Sequence, residues 1–409
     1  EQDCNSWLTG QQNIVTYTIG FAGGDEDMLQ STADKGQGAA EDEGLYFPAS
    51  NQKSLEAAFQ AFTANIREQG TTFTPSVVPI SDVNKAYAGD SVYMSLFKPI
   101  NGSSRWIGNL KKYKLDENND FASWDTGAPI LDDGGKIRET ARSGWSTSDD
   151  GSLVHEGGVG TILSRTGDAA RNIYTNLDPS RSLTAAANRF STDNDSLSGS
   201  DFGVDTDRTA EVINHIRMVD QDWKLGDLNH SKPAIASYGD GSTPRHILVG
   251  SNDGMLHCFN DETGAEAWAF VPKEQFSRIT DVYNGDHSYF LDGSPTVADI
   301  KNGKKMVIFG ERRGGRHYYA LDISDISHPD YLYTVTTSGQ SWQKPQFIRS
   351  AVDASTTDKG FLLTGGYDDA YDDADSLSRP CGNAVFAIAA TRPGNELFRD
   401  RKSTRLNSS

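Results

Sequence analysis

One unit recurs three times in this chain: a short apolar strand, a glycine-containing turn, a second strand rich in aromatic residues, and a third short strand. The clearest copy spans Arg245–Phe270 (RHILVGSNDGMLHCFNDETGAEAWAF), the second Lys305–Val335, and the third Gly360–Phe398. Equivalent strands lie roughly 61 to 67 residues apart, the spacing of propeller blades that carry loop insertions. A second marker precedes two of the units. Ser231-Lys232-Pro233-Ala234-Ile235-Ala236 and Ser294-Pro295-Thr296-Val297-Ala298 share a serine, a proline and a β-branched residue followed by alanine. Proline is tolerated at the first residue of a strand and not inside a sheet, so it marks the innermost strand of each unit. Each unit then has four strands. Four-stranded sheets repeated around an axis make a β-propeller, which leaves only short, protected edges.

The turns fit this reading. Asp253-Gly254 supplies the residue with positive φ that a tight hairpin needs, and Asp261-Glu262-Thr263-Gly264 turns the chain again. Trp268 then falls on the outer strand, with Tyr333 and Phe398 in the same place in the other two units. Aromatic residues at repeat spacing are expected to pack one unit against the next.

The flanks differ in character. Asn13–Phe21 has a buried-strand pattern, and Leu55, Ala58, Phe59, Phe62 and Ile66 mark one face of a helix with Ser50 or Asn51 as its cap and Gly70 at its end. Residues 1–70 are therefore expected to be the closing strand, loop and helix of an α/β domain, the chain looking cut at its front. Residues 71–79 read as a linker. Ser91–Lys98 and Ser104–Leu115 flank Asn101-Gly102 as a hairpin. Residues 116–207 read as a long insertion decorating an early blade, with a helix around Thr166–Leu177 and a flexible loop at Glu156–Thr161. A further helix is expected over Thr209–Met218. The partial propeller runs over 80–398. Arg399–Ser409 carries four basic residues on an acidic chain and no strand period, and is expected to be a disordered, non-native tail.

The net charge of −19 opposes binding to nucleic acid or to an anionic membrane surface. No run of about 18 apolar residues offers a membrane span. The three cysteines show no CxxC spacing, and Cys258, within a strand, is expected to be a small buried hydrophobe. Asp116-x-Asn118-x-Asp120 begins like a calcium loop, but Phe121 stands where glycine is needed and Gly127 where a closing glutamate is needed, so a turn is expected. Asp368, Asp369, Asp372, Asp373 and Asp375 suit a solvated loop. His230, His257 and His317 are expected in the core or between units, since no HExxH or Cys/His ligand spacing occurs. Neither a GxSxG elbow nor a Walker lysine is present. No catalytic, cofactor-binding or metal-binding residue is assigned.

Taken together, the motifs resemble one family, the PilC/PilY1-type type IV pilus biogenesis proteins. The stretches that carry the resemblance are YFPASN with its following helix, WIGNLKKY (Trp106–Tyr113), WDTGAPIL (Trp124–Leu131), RNIYT (Arg171–Thr175), the helix with INHIR, LGDLNHSKP (Leu225–Pro233), SNDGMLHCFNDETGAEAW, FLDGSPTVAD and TGGYD. They occur in the family's order over residues 1–398. The resemblance implies a mainly β chain: an incomplete β-propeller of quinoprotein-like four-stranded blades, preceded by the C-terminal strand and helix of a von Willebrand factor A domain. It implies a non-enzymatic pilus assembly and tip adhesion factor at the cell surface, exported through the periplasm. Its partners would be minor pilins, the pilus machinery and a host or surface receptor, without nucleic acid or membrane insertion. Calcium is implied for the full-length protein, but the family's DxSxS loop and its DxNxDGxxD loop are both missing here, so no ligand is assigned. The rival class is a pyrroloquinoline-quinone-type propeller dehydrogenase, whose tryptophan-docking motif the Asp261–Trp268 pattern also resembles. Many such enzymes carry adjacent cysteines, which this chain lacks.

Overall fold

The computed structural model describes residues 18–21, 25–35, 46–49, 54–55, 58–59 and 72–73. It then describes 91–401 apart from 101–102, 118–119, 133–136, 220, 240–242, 281–286, 301–302, 349–359, 367–383 and 391–395. In the N-terminal part, strands β1 (Thr18–Phe21) and β2 (Tyr46–Ala49) pair in parallel. Parallel neighbours need a crossover connection. Here it contains the helix Glu26–Lys35, where the sequence pattern suggested only an acidic loop. The start signal is local: the Asp25 carboxylate accepts the Met28 N–H at 3.1 Å, and Glu26 and Asp27 lie in the first turn, where the helix dipole favours acids. Of the helix expected after residue 50, only 54–55 and 58–59 are described, and both pairs are helical.

Four antiparallel four-stranded units follow. The first is β3 (Thr72–Phe73), β4 (Ser91–Lys98), β5 (Ile107–Leu115) and β6 (Phe121–Ala122), in that order. Two boundaries expected from sequence move. Thr72–Phe73, assigned to the linker, pairs with β4, and β6, assigned to the insertion, supplies the fourth strand. The hairpin is confirmed, with Lys98 opposite Ile107; Asn101 and Gly102 themselves lie outside the described residues.

The rest of the expected insertion is structural too. Its helix is Gly158–Arg165, not Thr166–Leu177, and Ile173–Thr175 is a strand (β7). Glycines that read as loop signals serve here as close-packing positions. A Cβ at Gly158 would strike Asn109, and one at Gly160 would strike the Trp223 ring. The absence of side chains lets the helix sit directly on β5, where Gly160 N–H donates to Asn109 Oδ1 at 2.9 Å and Val159 and Leu163 join the core of Tyr93 and Leu110. The same stretch neutralises a buried lysine: Lys111 Nζ donates to the carbonyls of Asp150 (2.7 Å) and Gly151 (2.9 Å) and pairs with the Asp150 carboxylate.

The second unit is β8 (Ala234–Ala236), β9 (His246–Gly250), β10 (Leu256–Asn260) and β11 (Glu266–Val271), with β7 added in parallel along the outer edge of β11. The third is β12 (Thr296–Asp299), β13 (Lys305–Gly310), β14 (His317–Asp322) and β15 (Asp330–Thr336). The fourth is β16 (Gln346–Ile348), β17 (Gly360–Gly365), β18 (Ala384–Ala389) and β19 (Glu396–Arg401). Strand β19 takes in Arg399–Arg401, three residues of the expected non-native tail; 402–409 lie outside the described residues. Pro345 precedes β16 as Pro233 and Pro295 precede β8 and β12, so the proline marker holds in a third unit. The first strands β8, β12 and β16 lie beside one another, and the four sheets are separate, none closing on itself among the described residues.

Register reveals the repeat more sharply than the sequence does. Trp268 faces Cys258, Tyr333 faces Ala320 and Phe398 faces Ala387, and a register shift follows each of these pairs. The expected equivalence of the three aromatics is thus a shared place next to a β-bulge, which adds local twist. Trp268 is 1% exposed, and its Nε1–H donates to the Ile326 carbonyl at 2.7 Å, in the turn of the next sheet. It shares one core with Leu321, Ile323 and Ile326, so its packing role between units holds. Between the first two sheets the corresponding joint is ionic. The turn residue Asp261 accepts from Tyr93 Oη (2.5 Å) and pairs with Lys112 (2.7 Å) and Arg245 (2.7 Å).

Candidate interaction face

In the second and third units the chain leading into the first strand and the turn between the second and third strands fall at the same end of the sheet. Among the described residues, that end gathers polar and aromatic groups of the second, third and fourth units, with Trp106 of the first. Two buried aspartates organise it. Asp227 accepts from Asn252 Nδ2 at 2.6 Å and lies 2.9 Å from His287 Nε2. Asp292 lies 2.8 Å and 2.9 Å from His230 Nδ1, and accepts from Arg312 Nη1 at 3.0 Å. His230 follows Asp227 closely in sequence, and His287 precedes Asp292. The two Asp–His pairs therefore cross between the second and third sheets and tie them reciprocally. Burial raises the proton affinity of Asp227, and the bonds from His287 and Asn252 offset part of that rise.

An aromatic and cationic row lies over these pairs. The Trp106 indole stacks on His287 at 3.8 Å, and His287 meets the edge of Tyr289 at 5.2 Å. The Arg313 guanidinium lies over Tyr289 at 4.7 Å, and that of Arg312 over Trp342 at 4.5 Å. Such stacking spreads a planar cation over a ring face, and it strengthens where water is excluded. The turn that delivers the arginines is tight. Arg312 takes φ 53°, and a Cβ at Gly314 would overlap the Phe290 carbonyl, so only glycine fits there. Beneath it Glu311 is fully buried, accepting from Tyr319 Oη at 2.6 Å, from the His317 N–H at 2.9 Å and from Gln275 Nε2. Burial alone would lower the pKa of His317, but the Glu311 carboxylate outweighs it and the pKa is raised.

Of the three histidines singled out in the sequence, His257 lies in the core and His230 bridges two sheets, as expected. His317 is half-buried and braces Glu311 within its own unit. His257 sits between Asp253 (3.1 Å) and Glu266 (2.8 Å), and Glu266 is held by Arg171 through Nε at 2.8 Å and Nη2 at 2.9 Å. Burial would lower the pKa of His257, yet the two carboxylates carry it up to about 9. Burial would raise that of Glu266, yet Arg171 and His257 bring it down to about 2. Cys258 is fully buried, as expected. Asp116 and Asp120 close a turn on each other, with Asp120 N–H donating to Asp116 Oδ1 at 2.8 Å. The acidic run Asp368–Asp375 and the other two cysteines lie outside the described residues. Among the described residues no group of three or more His, Cys, Asp or Glu side chains is placed to hold a metal ion.

Trp106, Asp227, Asp292 and Arg312 entered the sequence reading only as parts of longer stretches, and Tyr289 and Trp342 not at all. The available signal was position, since Asp227 and Asp292 stand just ahead of the two serine–proline markers.

Comparison with known proteins gives these elements a context. Residues 228–337, which span the second and third units, match the PilY1 beta-propeller domain. The chain is 26% identical over 358 residues to the type IV pilus biogenesis factor PilY1 of Pseudomonas aeruginosa (strain UCBPP-PA14), covering 75% of this chain and 28% of that protein. It is 26% identical over 391 residues to the PilY1 of strain PAK, covering 84% of this chain and 32% of that protein. A PilY1 homolog of Xylella fastidiosa (strain Temecula1 / ATCC 700964) is 36% identical over 116 residues, covering 26% of this chain and 10% of that protein. The chain thus spans about a third or less of the length of these curated relatives. Among solved structures, it is similar to the crystal structure of the Pseudomonas aeruginosa PilY1 C-terminal domain, at 25% identity over 42% of this chain and 33% of that one, with a TM-score of 0.32. The chain is thus similar over most of its length to the PilY1 type IV pilus biogenesis factors, and its second and third units match the PilY1 beta-propeller domain.

Proposed function

We propose that this chain is part of a type IV pilus assembly and tip-associated adhesion factor, acting without catalysis in pilus biogenesis, surface attachment and twitching motility. The observation that carries the reading is that the PilY1 beta-propeller match coincides with the second and third units, whose shared loop end is the aromatic and cationic face. That face is the working surface in this reading, and minor pilins, the pilus machinery or a surface receptor are its partners. The β1–helix–β2 unit is the remnant of a von Willebrand factor A-like domain, and the protein works at the cell surface. In this reading calcium control belongs to the full-length protein, as the family resemblance implies.

The test is a deletion of the gene in its own host. Surface pilin recovered by shearing and the twitching zone should both fall severalfold, and a plasmid copy should restore them. Undiminished pili, twitching and attachment in the deletion strain would refute the proposal.

A further inference from the structure

We propose that Lys232 and Lys344, which lead into the inner strands β8 and β16, hold a carboxylate-rich segment of a protein partner at the loop face, with Ser294 between them. The site stands on these residues alone and does not depend on a role in the pilus.

The repeat itself brings the lysines together. Lys232-Pro233 and Lys344-Pro345 occupy the same place in the second and fourth units, and Ser294-Pro295 holds that place in the third. Strand β12 lies between β8 and β16, so the three segments converge where the inner strands meet. Hydrogen bonds fix them to one another. Lys232 N–H donates to Ser294 Oγ at 3.0 Å, Ser294 Oγ donates to the His230 carbonyl at 3.3 Å, and Thr296 Oγ1 donates to the Pro345 carbonyl at 2.7 Å.

Charge then identifies the occupant. Both lysines are exposed, and neither ammonium has an acidic partner among the described residues. They also act on each other: partial loss of water, and next the charge of Lys232, push the Lys344 pKa below its ordinary value. Holding two like charges together is unfavourable, and a bound anion relieves it. Among the described residues, Asp227, Asp292 and Glu311 at this end are buried and already bonded, so none of the three offers the lysines an exposed carboxylate. Trp342 under Arg312 and Tyr289 under Arg313 adjoin the site. Tryptophan, tyrosine and arginine are the residues enriched in the cores of protein–protein interfaces. This composition favours a peptide segment with several carboxylates over a small inorganic anion.

The experiment titrates the purified chain into a fluorescein-labelled peptide of alternating Glu and Ser, with a Gln and Ser counterpart as control, and reads anisotropy at low and moderate salt. The acidic peptide alone should bind, more weakly as salt rises. Affinity should fall about tenfold in the Lys232→Gln/Lys344→Gln double variant and recover in the Lys232→Arg/Lys344→Arg variant. Both positions are exposed, so thermal melts of the variants should match the parent and separate lost binding from lost folding. Equal affinity of the double Gln variant, equal binding of the Gln and Ser peptide, or no binding at low salt would overturn the proposal. Displacement of the peptide by inorganic phosphate at low millimolar concentration would reduce the site to one for any small anion and overturn the peptide assignment.

Discussion

At the scale of single residues, the most telling arrangement is the buried row Arg171–Glu266–His257–Asp253, in which every charge faces an opposite one. Burying such groups is costly, and they persist only when paired and hydrogen-bonded. The row makes stability depend on pH with a definite sign. His257 has a folded pKa of about 9 against an ordinary 6.5. Its contribution is therefore complete below about pH 6.5 and is lost as pH rises through 9. Glu266 has a folded pKa of about 2 against an ordinary 4.5, so its contribution is complete above about pH 4.5 and is lost as pH falls toward 2. Urea unfolding across pH should show greatest stability between about 4.5 and 6.5, and His257→Gln should flatten the alkaline decline. An unchanged alkaline limb in that variant would show that another group carries it. Sequence located His257 in the core but not its partners. Glu266 and Arg171 are separated by most of the second unit and its preceding loops, and only the parallel pairing of β7 with β11 brings them together.

At the scale of elements, the joints between sheets differ along the chain. The first sheet is locked to the second by the ionic hub at Asp261, and the second to the third by the Trp268 indole and its bond to Ile326. Trp268→Ala should cost about 3–5 kcal/mol by denaturant unfolding, as large-to-small core changes do. Trp268→Phe should cost less but still lose the bond to the Ile326 carbonyl, worth about 1 kcal/mol. Hydrogen exchange in the alanine variant should rise first in the β14–β15 turn, on the neighbouring sheet. Faster exchange confined to β11 itself would mean the indole does not join the sheets. The strands, the tight turns and the packing role of Trp268 were legible because each rests on local patterns: period, glycine with positive φ, and proline at a strand start. The helix Gly158–Arg165 was not legible. Its glycines look like breakers in isolation, and only the proximity of Asn109 and Trp223 explains them.

At the scale of the whole molecule, four sheets stand in chain order, and β8, β12 and β16 lie side by side. Three of them were visible as a repeat. The first was not counted among them because its outer strand, β6, falls in a stretch of low periodicity, and β3 in one that reads as a linker. The loop face was invisible for a related reason: each of its residues is unremarkable in its own segment, and convergence of equivalent turns creates the face. The proposed function rests on that face being where the protein meets its partners. The most direct measurement is surface pilin sheared from a deletion strain that carries the full-length gene with Tyr289→Ala and Trp342→Ala. The variant should be exported at the parent's level and leave surface pilin close to that of the deletion strain. Parental piliation by the exported double variant would contradict the account and place the working surface elsewhere.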